Sequence, residues 1–289
     1  MQAFPAPAKL NLFLHVVGRR ADGYHLLESV FQLLDFGDTV DIGVRPDGRI
    51  CRLSELAGVP ESADLVVRAA RALKTATGCS LGADISVTKR IPMGGGLGGG
   101  SSDAASVLLA LNRLWRLDLP RQALARIGVA LGADVPFFIF GRNAFARGIG
   151  EDLLGLDLPL RWHAVLVPPV QVPTAAIFQS PELTRNSEPV KIEDFSAGAW
   201  SFPGNRFRND LEPVACAGYE AVSRALRWLR GFDARALITA RMSGSGACVF
   251  AAFAAREEAE AVVAGRPADC GGFVACGLGR HPLVDCARD

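Results

Sequence analysis

Between Gly94 and Gly100 six of seven residues are glycine, and Ser101, Ser102 and Asp103 follow at once. Bare backbone lets a ligand approach the chain without meeting a Cβ. The apolar, helix-period segment behind it, Ala104 to Trp115, would aim unpaired N–H groups and the positive end of its dipole into the loop. Together these features make a phosphate site. A plain glycine turn that lets a helix pack is the bland alternative, set against the entropy that so many glycines cost. Asp134, in Gly132-Ala133-Asp134-Val135-Pro136, is either a carboxylate placed to accept a proton or a helix cap with proline in the first turn. Lys9 shares a strand face with Asn11 and is either a cation for the same chemistry or a solvated edge lysine.

The loop is not a dinucleotide fingerprint. Gly94-x-Gly96-x-x-Gly99 matches in form, but the helix after it leads into Arg116-Leu117-Asp118-Leu119-Pro120 and another helix, not a second strand ending in an acid. No Gly-Lys-Ser/Thr follows the glycines, which removes the Walker pattern. The Val-Ala-Ile-Lys, His-Arg-Asp and Asp-Phe-Gly motifs of protein kinases are absent.

The elements that must position these residues can be read from periodicity. Residues 9–17 alternate as a half-buried strand, the turn Arg20-Ala21-Asp22-Gly23 leads into Tyr24-His25, and a mostly apolar run continues to Phe36. Strands are expected over 39–44, 83–90, 162–167 and 247–250, and helices over 64–75, 103–115, 121–131, 256–265 and near 210–216 and 219–229. Proline-rich 168–174 ends a strand, and 184–205 is polar and loop-like. At 289 residues two domains are the default, with a boundary near 155, giving 1–155 and 156–289.

Composition narrows the partners. The net charge of +1 gives no nucleic-acid surface, and no 18-residue stretch lacks a charge or a breaker, so no membrane span is expected. The first residues carry no basic segment followed by an apolar one, as a signal peptide would. Seven cysteines, none spaced Cys-x-x-Cys, with four scattered histidines, give no zinc pattern and suit free thiols in a cytoplasmic protein.

What remains, Pro92-x-x-x-Gly96-Leu97-Gly98-Gly99-Gly100-Ser101-Ser102-x-Ala104-Ala105, resembles the phosphate loop of the GHMP small-molecule kinases. Pro7-Ala8-Lys9-Leu10-Asn11-Leu12, Arg20-Ala21-Asp22-Gly23-Tyr24-His25, Leu131 to Phe138, Asn209-Asp210-Leu211-Glu212 and Met242 to Ala247 occur in one order around it. That order is similar to the branch of the family whose acceptor is the 2-hydroxyl of a cytidine-diphosphate-linked methylerythritol, in non-mevalonate isoprenoid precursor synthesis. A homoserine- or mevalonate-type alcohol is the alternative acceptor, and a nucleotide-binding regulatory protein the non-enzyme alternative.

The resemblance implies an α+β fold with an ATP-binding N-terminal domain, a substrate-binding C-terminal domain and an active site in the cleft between them. It implies that Asp134 accepts the hydroxyl proton and Lys9 orients both and stabilises charge in transit. Pro92, Met93, Gly94, Gly95, Gly96, Leu97, Gly98, Gly99, Gly100, Ser101 and Ser102 would hold ATP, with Mg²⁺ as its companion and an unassigned metal-ligand set. Tyr24 and Phe178 would sandwich the cytosine ring, His25 would read its edge, and Asn11 and Thr174 would bind polar parts of the acceptor. Ser243-Gly244-Ser245-Gly246 would line the junction. Asp103 would cap the helix after the loop, or help hold Mg²⁺. Asp64 stands where relatives commonly carry Asn, near the expected adenine pocket. The enzyme would act as a monomer or homodimer.

Overall fold

The computed structural model describes residues 1–56, 58–191 and 206–289. Within the polar stretch 184–205, residues 184–191 carry no regular structure, and 192–205 lie outside the described residues. The architecture is mixed α+β around one ten-stranded sheet. Its frame is a long antiparallel hairpin, β1 (Gln2–Arg19) and β2 (His25–Arg45), paired from Gln2 opposite Ile42 to Arg19 opposite His25. The apolar run to Phe36 and the expected strand 39–44 are thus one strand. The register slips between Pro7 and Lys9, between Asn11 and Leu14, and between Val16 and Gly18. Such bulges re-aim side chains, and here they flank Lys9 and Asn11.

β1 is not half-buried. It is buried from Ala6 to Val16 on both faces, polar residues included. Helix α2 (Gly99–Leu114) and the glycine loop cover its outer edge: Ser106 Oγ donates to Pro5 O, Ser102 Oγ donates to Pro7 O, and Lys9 N donates to Leu97 O at 3.0 Å. Prolines at 5 and 7 are tolerated because this edge of the strand is not paired to a neighbour.

Beside β2 lie β4 (Gly82–Thr88), then the short β3 (Ile50–Arg52), with β5 (Ala144–Arg147) and β6 (Asp152–Gly155) branching from β2. Helix α1 (Leu65–Thr77) starts on an Asp64 cap and stops at Gly78, whose φ of 66° is the left-handed end that favours glycine. α2, α3 (Arg121–Val129) and α4 (Val135–Phe140) pack with α1 over this part of the sheet. α2 is buried on nearly all sides, as a helix without a polar face must be.

The remaining strands, β7 (Trp162–Val167), β8 (Ile238–Met242), β9 (Val249–Phe253) and β10 (Gly271–Leu278), extend the sheet. β10 joins the two parts, pairing β7 along its length and β2 at Gly277 and Leu278. α5 (Thr174–Gln179), α6 (Glu212–Gly218), α7 (Glu220–Arg230) and α8 (Arg256–Ala264) complete this half. The sequence reading did not anticipate α5 or β10, because one is short and proline-led and the other is glycine-rich and only partly buried. A third cluster of apolar side chains, with Leu10, Leu12, Val165 and Phe250, joins the cores of the two halves. The last residues return to the first half, where Arg121 donates to the Val284 and Ala287 carbonyls.

Candidate active site

A cleft of about 920 Å³ is lined by residues from both halves, including the glycine loop, Lys9, Asn11, Asp134, Tyr24, His25, Thr174 and Phe178. α2 begins at Gly99, inside the glycine run, not at Asp103 as its side-chain types suggest. Gly98 sets the start with a φ of 72°, and the first intrahelical bond is Ser102 N to Gly98 O at 2.9 Å. The N–H groups of Gly99, Gly100 and Ser101 precede that bond and point out of the helix end, where an anion is favoured. Gly96 is constrained twice: its φ is 72°, and a Cβ there would fall 2.1 Å from the Ser243 carbonyl oxygen. The loop is held to its neighbours by Ala247 N to Gly94 O at 3.1 Å, Cys248 N to Gly95 O at 3.2 Å and Ser243 Oγ to Gly96 O at 3.0 Å.

Of the two hydroxyls after the loop, Ser101 lines the cleft and Ser102 does not. Ser102 is fully buried, with its hydroxyl bonded to Pro7 O at 2.7 Å. It docks the helix on β1 and turns away from the expected phosphates. Asp103 is not a cap either. It sits one turn into α2, 4% exposed, with Oδ2 accepting from Lys89 Nζ at 2.7 Å and Oδ1 without a partner. Lys89 also bonds the fully buried Asp38, whose other oxygen accepts from the backbone of Arg90 and Ile91. Burial and the nearby Asp38 push the Asp103 carboxyl up to about 7, against the pull of Lys89. Burial lowers Lys89 but the two carboxylates outweigh it, so its ammonium is held above its ordinary value.

Lys9 Nζ lies 3.2 Å from Asp134 Oδ2 and 2.5 Å from Asn11 Oδ1, over the face of the Phe31 ring at 4.9 Å. The lysine is therefore neither solvated nor at a free edge. Asp134 occupies the cap position before α4, with Pro136 in the first turn, yet its side chain makes no cap hydrogen bond. Its carboxylate is 30% exposed and faces Lys9. Asn11 is fixed from behind: Nδ2 donates to Ser29 Oγ at 2.9 Å, and Ser29 donates to Phe13 O at 2.6 Å. That chain sets which way the amide faces and presents its oxygen to Lys9.

At the other end of the cleft, the turn before β2 is locked by Tyr24 N to Asp22 Oδ1 at 3.2 Å, Gly23 N to Arg20 O at 3.0 Å and Arg20 N to Tyr24 O at 2.7 Å. Tyr24 is 62% exposed. The His25 ring lies on Phe178, centroids 5.0 Å apart and tilted 31°. Thr174, the first residue of α5, bonds Ser245 at 2.7 Å, so the glycine turn 243–246 and the α5 wall meet at the cleft. Asn209 holds that turn, with Nδ2 donating to Met242 O at 2.8 Å and Gly244 O at 2.7 Å.

Asp64 does not reach the cleft. One oxygen caps α1 through Val66 N at 3.1 Å, and the other pairs with Arg52 at 3.0 Å. Each oxygen is engaged in the fold, so Asp64, expected near the adenine pocket, holds the start of α1 instead. Sequence reasoning missed Ser29, Asp38, Lys89 and Arg185. Nothing in their local pattern separates them from ordinary strand and loop residues, because the partners that tie them to the site, Asn11 for Ser29, Lys89 for Asp38, Asp103 for Lys89 and His25 for Arg185, are distant in sequence. Among the described residues no group of three or more His, Cys, Asp or Glu side chains converges as a metal site, and no helix is long and apolar enough to cross a membrane. All seven cysteines are unpaired.

Residues 64–142 match the family described as GHMP kinases N terminal domain, and residues 197–270 match GHMP kinases C terminal. The chain is 58% identical over 284 residues to a 4-diphosphocytidyl-2-C-methyl-D-erythritol kinase of Thiobacillus denitrificans, covering 98% of each. It is 55% identical to the protein of the same name from Aromatoleum aromaticum, covering 96% of this chain and 94% of that one. A crystal structure of 4-(cytidine 5'-diphospho)-2C-methyl-D-erythritol kinase superposes with a TM-score of 0.81 at 32% identity, over 96% of this chain and 100% of that one. Mevalonate kinase from Methanococcus jannaschii superposes at 0.64 with 14% identity, over 96% and 98%, which is a likeness of fold alone.

Proposed function

The chain belongs to the 4-diphosphocytidyl-2-C-methyl-D-erythritol kinase family of the GHMP kinases, and from that premise we propose how its residues divide the work. The reaction transfers the γ-phosphoryl group of ATP to the 2-hydroxyl of 4-diphosphocytidyl-2-C-methyl-D-erythritol, giving the 2-phosphate and ADP. Residues 1–155 supply the nucleotide side of the cleft and also Asn11, Tyr24 and His25 toward the acceptor, and 156–289 supply the facing wall with Thr174 and Phe178. The triphosphate lies along Pro92 to Ser101, where backbone N–H groups outnumber side chains and the α2 N-terminus favours anions. Ser102 contributes by fixing the helix, not by touching the nucleotide.

The observation that carries the reading is the Lys9–Asp134 pair, 3.2 Å apart in the cleft that also holds the glycine loop and the His25–Phe178 stack. Asp134 accepts the proton of the acceptor hydroxyl as its oxygen bonds to the γ-phosphorus and the bond to the ADP oxygen breaks. Lys9 keeps that carboxylate in place and offers positive charge to the oxygens that gain charge in transit. Asn11, held by Ser29, keeps the lysine pointed at Asp134 and lies against the acceptor. Thr174 binds a polar part of the acceptor, and Tyr24 and Phe178 close on the cytosine ring, whose edge His25 reads.

The residues present fit Mg²⁺ as an ion carried by the phosphates, because no protein cage converges among the described residues and Ser101 is the hydroxyl that lines the cleft at the end of the loop. Bound there, it would neutralise charge on the β- and γ-phosphates. The free thiols suit a reducing compartment and so a cytoplasmic enzyme. A homoserine- or mevalonate-type acceptor leaves the base pocket without a purpose. Supplying the protein with ATP, Mg²⁺ and each acceptor in turn, and following ADP release, tests the assignment. Release with homoserine or mevalonate but not with the cytidine-diphosphate acceptor would overturn it.

A further inference from the structure

Arg185 has no place in the chemistry above, yet it makes four hydrogen bonds on the acceptor side of the cleft. Its Nε donates to His25 Nε2 at 3.1 Å. Its other nitrogens donate to the carbonyls of Leu183 at 3.0 Å, Phe178 at 3.1 Å and Ser180 at 2.7 Å. One guanidinium therefore joins the end of α5, which carries Phe178, to the ring at the start of β2. The His25 ring in turn lies on the Phe178 ring.

The direction of the first bond carries information. A guanidinium has donors and no acceptor, so the Nε2 that meets it must present a lone pair. A neutral imidazole with a lone pair on Nε2 bears its proton on Nδ1. That is the less favoured tautomer of a free histidine in water, so the contact imposes it. Burial, followed by the charges of Arg185 and Arg19, lowers the His25 pKa, which keeps the ring neutral and the assignment single.

We infer that Arg185 is a positioning residue that fixes the proton of His25 on Nδ1 and so makes the pocket select a cytosine-type base over a uracil-type one. The inference rests on the reading of His25 as a base contact. Ring nitrogen N3 of cytosine is an acceptor, whereas N3 of uracil carries a hydrogen. An Nδ1–H donor matches the first and meets the second donor to donor. Without Arg185 the ring can turn over to the Nε2–H tautomer, whose Nδ1 lone pair suits uracil.

The test uses the full chain saturated with a non-hydrolysable ATP analogue and titrated calorimetrically with cytidine 5′-diphosphate and uridine 5′-diphosphate. Wild type should prefer the cytidine ligand. Arg185→Met should weaken the cytidine ligand by about tenfold, one hydrogen bond's worth, and the uridine ligand much less. Nitrogen-15 spectra of labelled histidines, with His25→Gln identifying the resonance, should show the Nδ1–H form in wild type and its loss in Arg185→Met. Should Arg185→Met not fold, Arg185→Lys, which keeps the charge without the fork, carries the same measurements. Equal weakening of both ligands with an unchanged tautomer would reduce Arg185 to a tie on α5 and overturn the inference. A preference lost in His25→Gln but kept in Arg185→Met would overturn the role of Arg185 while leaving the base pocket standing. A wild type indifferent to the base would overturn both.

Discussion

Lys9 Nζ sits 3.2 Å from Asp134 Oδ2 with the lysine side chain 5% exposed and the carboxylate 30% exposed. The burial is unequal in a useful sense. The cation is enclosed by Phe31, Asn11 and the glycine loop, and the carboxylate keeps an open side toward the cleft. A proton acceptor needs that open side; a structural ion pair would not.

Asp134→Asn keeps the shape and removes the base. Turnover should fall by about a thousandfold, within the range general-base removal gives. The affinity for a non-hydrolysable ATP analogue should change little, since the glycine loop does not depend on this side chain. Steady-state kinetics beside calorimetric titration checks both halves. Half the activity surviving would end the base assignment.

Much of this was legible in the residue order. The glycine run announced a phosphate site through local pattern, whereas Lys9 beside Asn11 and Asp134 ahead of Pro136 were two-sided on pattern alone and took catalytic roles only from the order of motifs around the loop. What could not be read is the tertiary answer to two-sided choices. Asp134 stands where a cap stands but does not cap, whereas Asp64 does cap and is thereby withdrawn from the adenine side. Asp103 was open to a cap or a metal and takes neither place, because α2 begins four residues earlier on a left-handed Gly98. Ser102 reads as Ser101 does, and only the approach of β1 separates them. The half-buried pattern of β1 misled for the same reason. Alternation reports two faces, not what later packs on each.

Asp103 gives a pH prediction of definite sign. Its carboxyl is raised from 3.8 to about 7 in the fold, chiefly by burial. Between those values the folded chain holds a proton that the unfolded chain has released, so this group makes stability fall as pH rises through the window. Asp103→Asn keeps the shape, and Lys89 retains Asp38. The variant should gain thermal stability relative to wild type on going from pH 5 to pH 8. A melting-temperature difference that is the same at both values would show that Asp103 is charged throughout.

His163 gives the opposite slope. Its ring is fully buried beside Phe250, neither nitrogen has a hydrogen-bond partner, and burial with a smaller push from Arg161 takes it down to about 3. Between about 3 and 6.5 the unfolded chain binds the proton and the folded chain does not, so this residue makes stability fall as pH drops. His163→Leu removes both the titration and two unpaired polar atoms. It should be no less stable than wild type at pH 8, and more stable than wild type at pH 5. Acid-induced unfolding followed by circular dichroism separates the two proteins.

The acceptor pocket predicts a split between affinity and turnover. Phe178 packs on His25 at one side, while Tyr24, 62% exposed, lies open at the other. An aromatic residue that exposed gains from a ligand that covers it, and a base stacked on an aromatic ring is worth about 1–3 kcal/mol. Tyr24→Leu should therefore raise KM for the cytidine-diphosphate acceptor by about tenfold or more, with KM for ATP unchanged and the melting temperature barely moved. Phe178→Leu should raise the same KM and also lower the melting temperature, because it loses a packed neighbour as well as a stacking face. Neither should reduce kcat as Asp134→Asn does, because the base lies away from the hydroxyl that reacts. A Tyr24→Leu enzyme with an unaltered acceptor KM would show that the ring stacks on Phe178 alone.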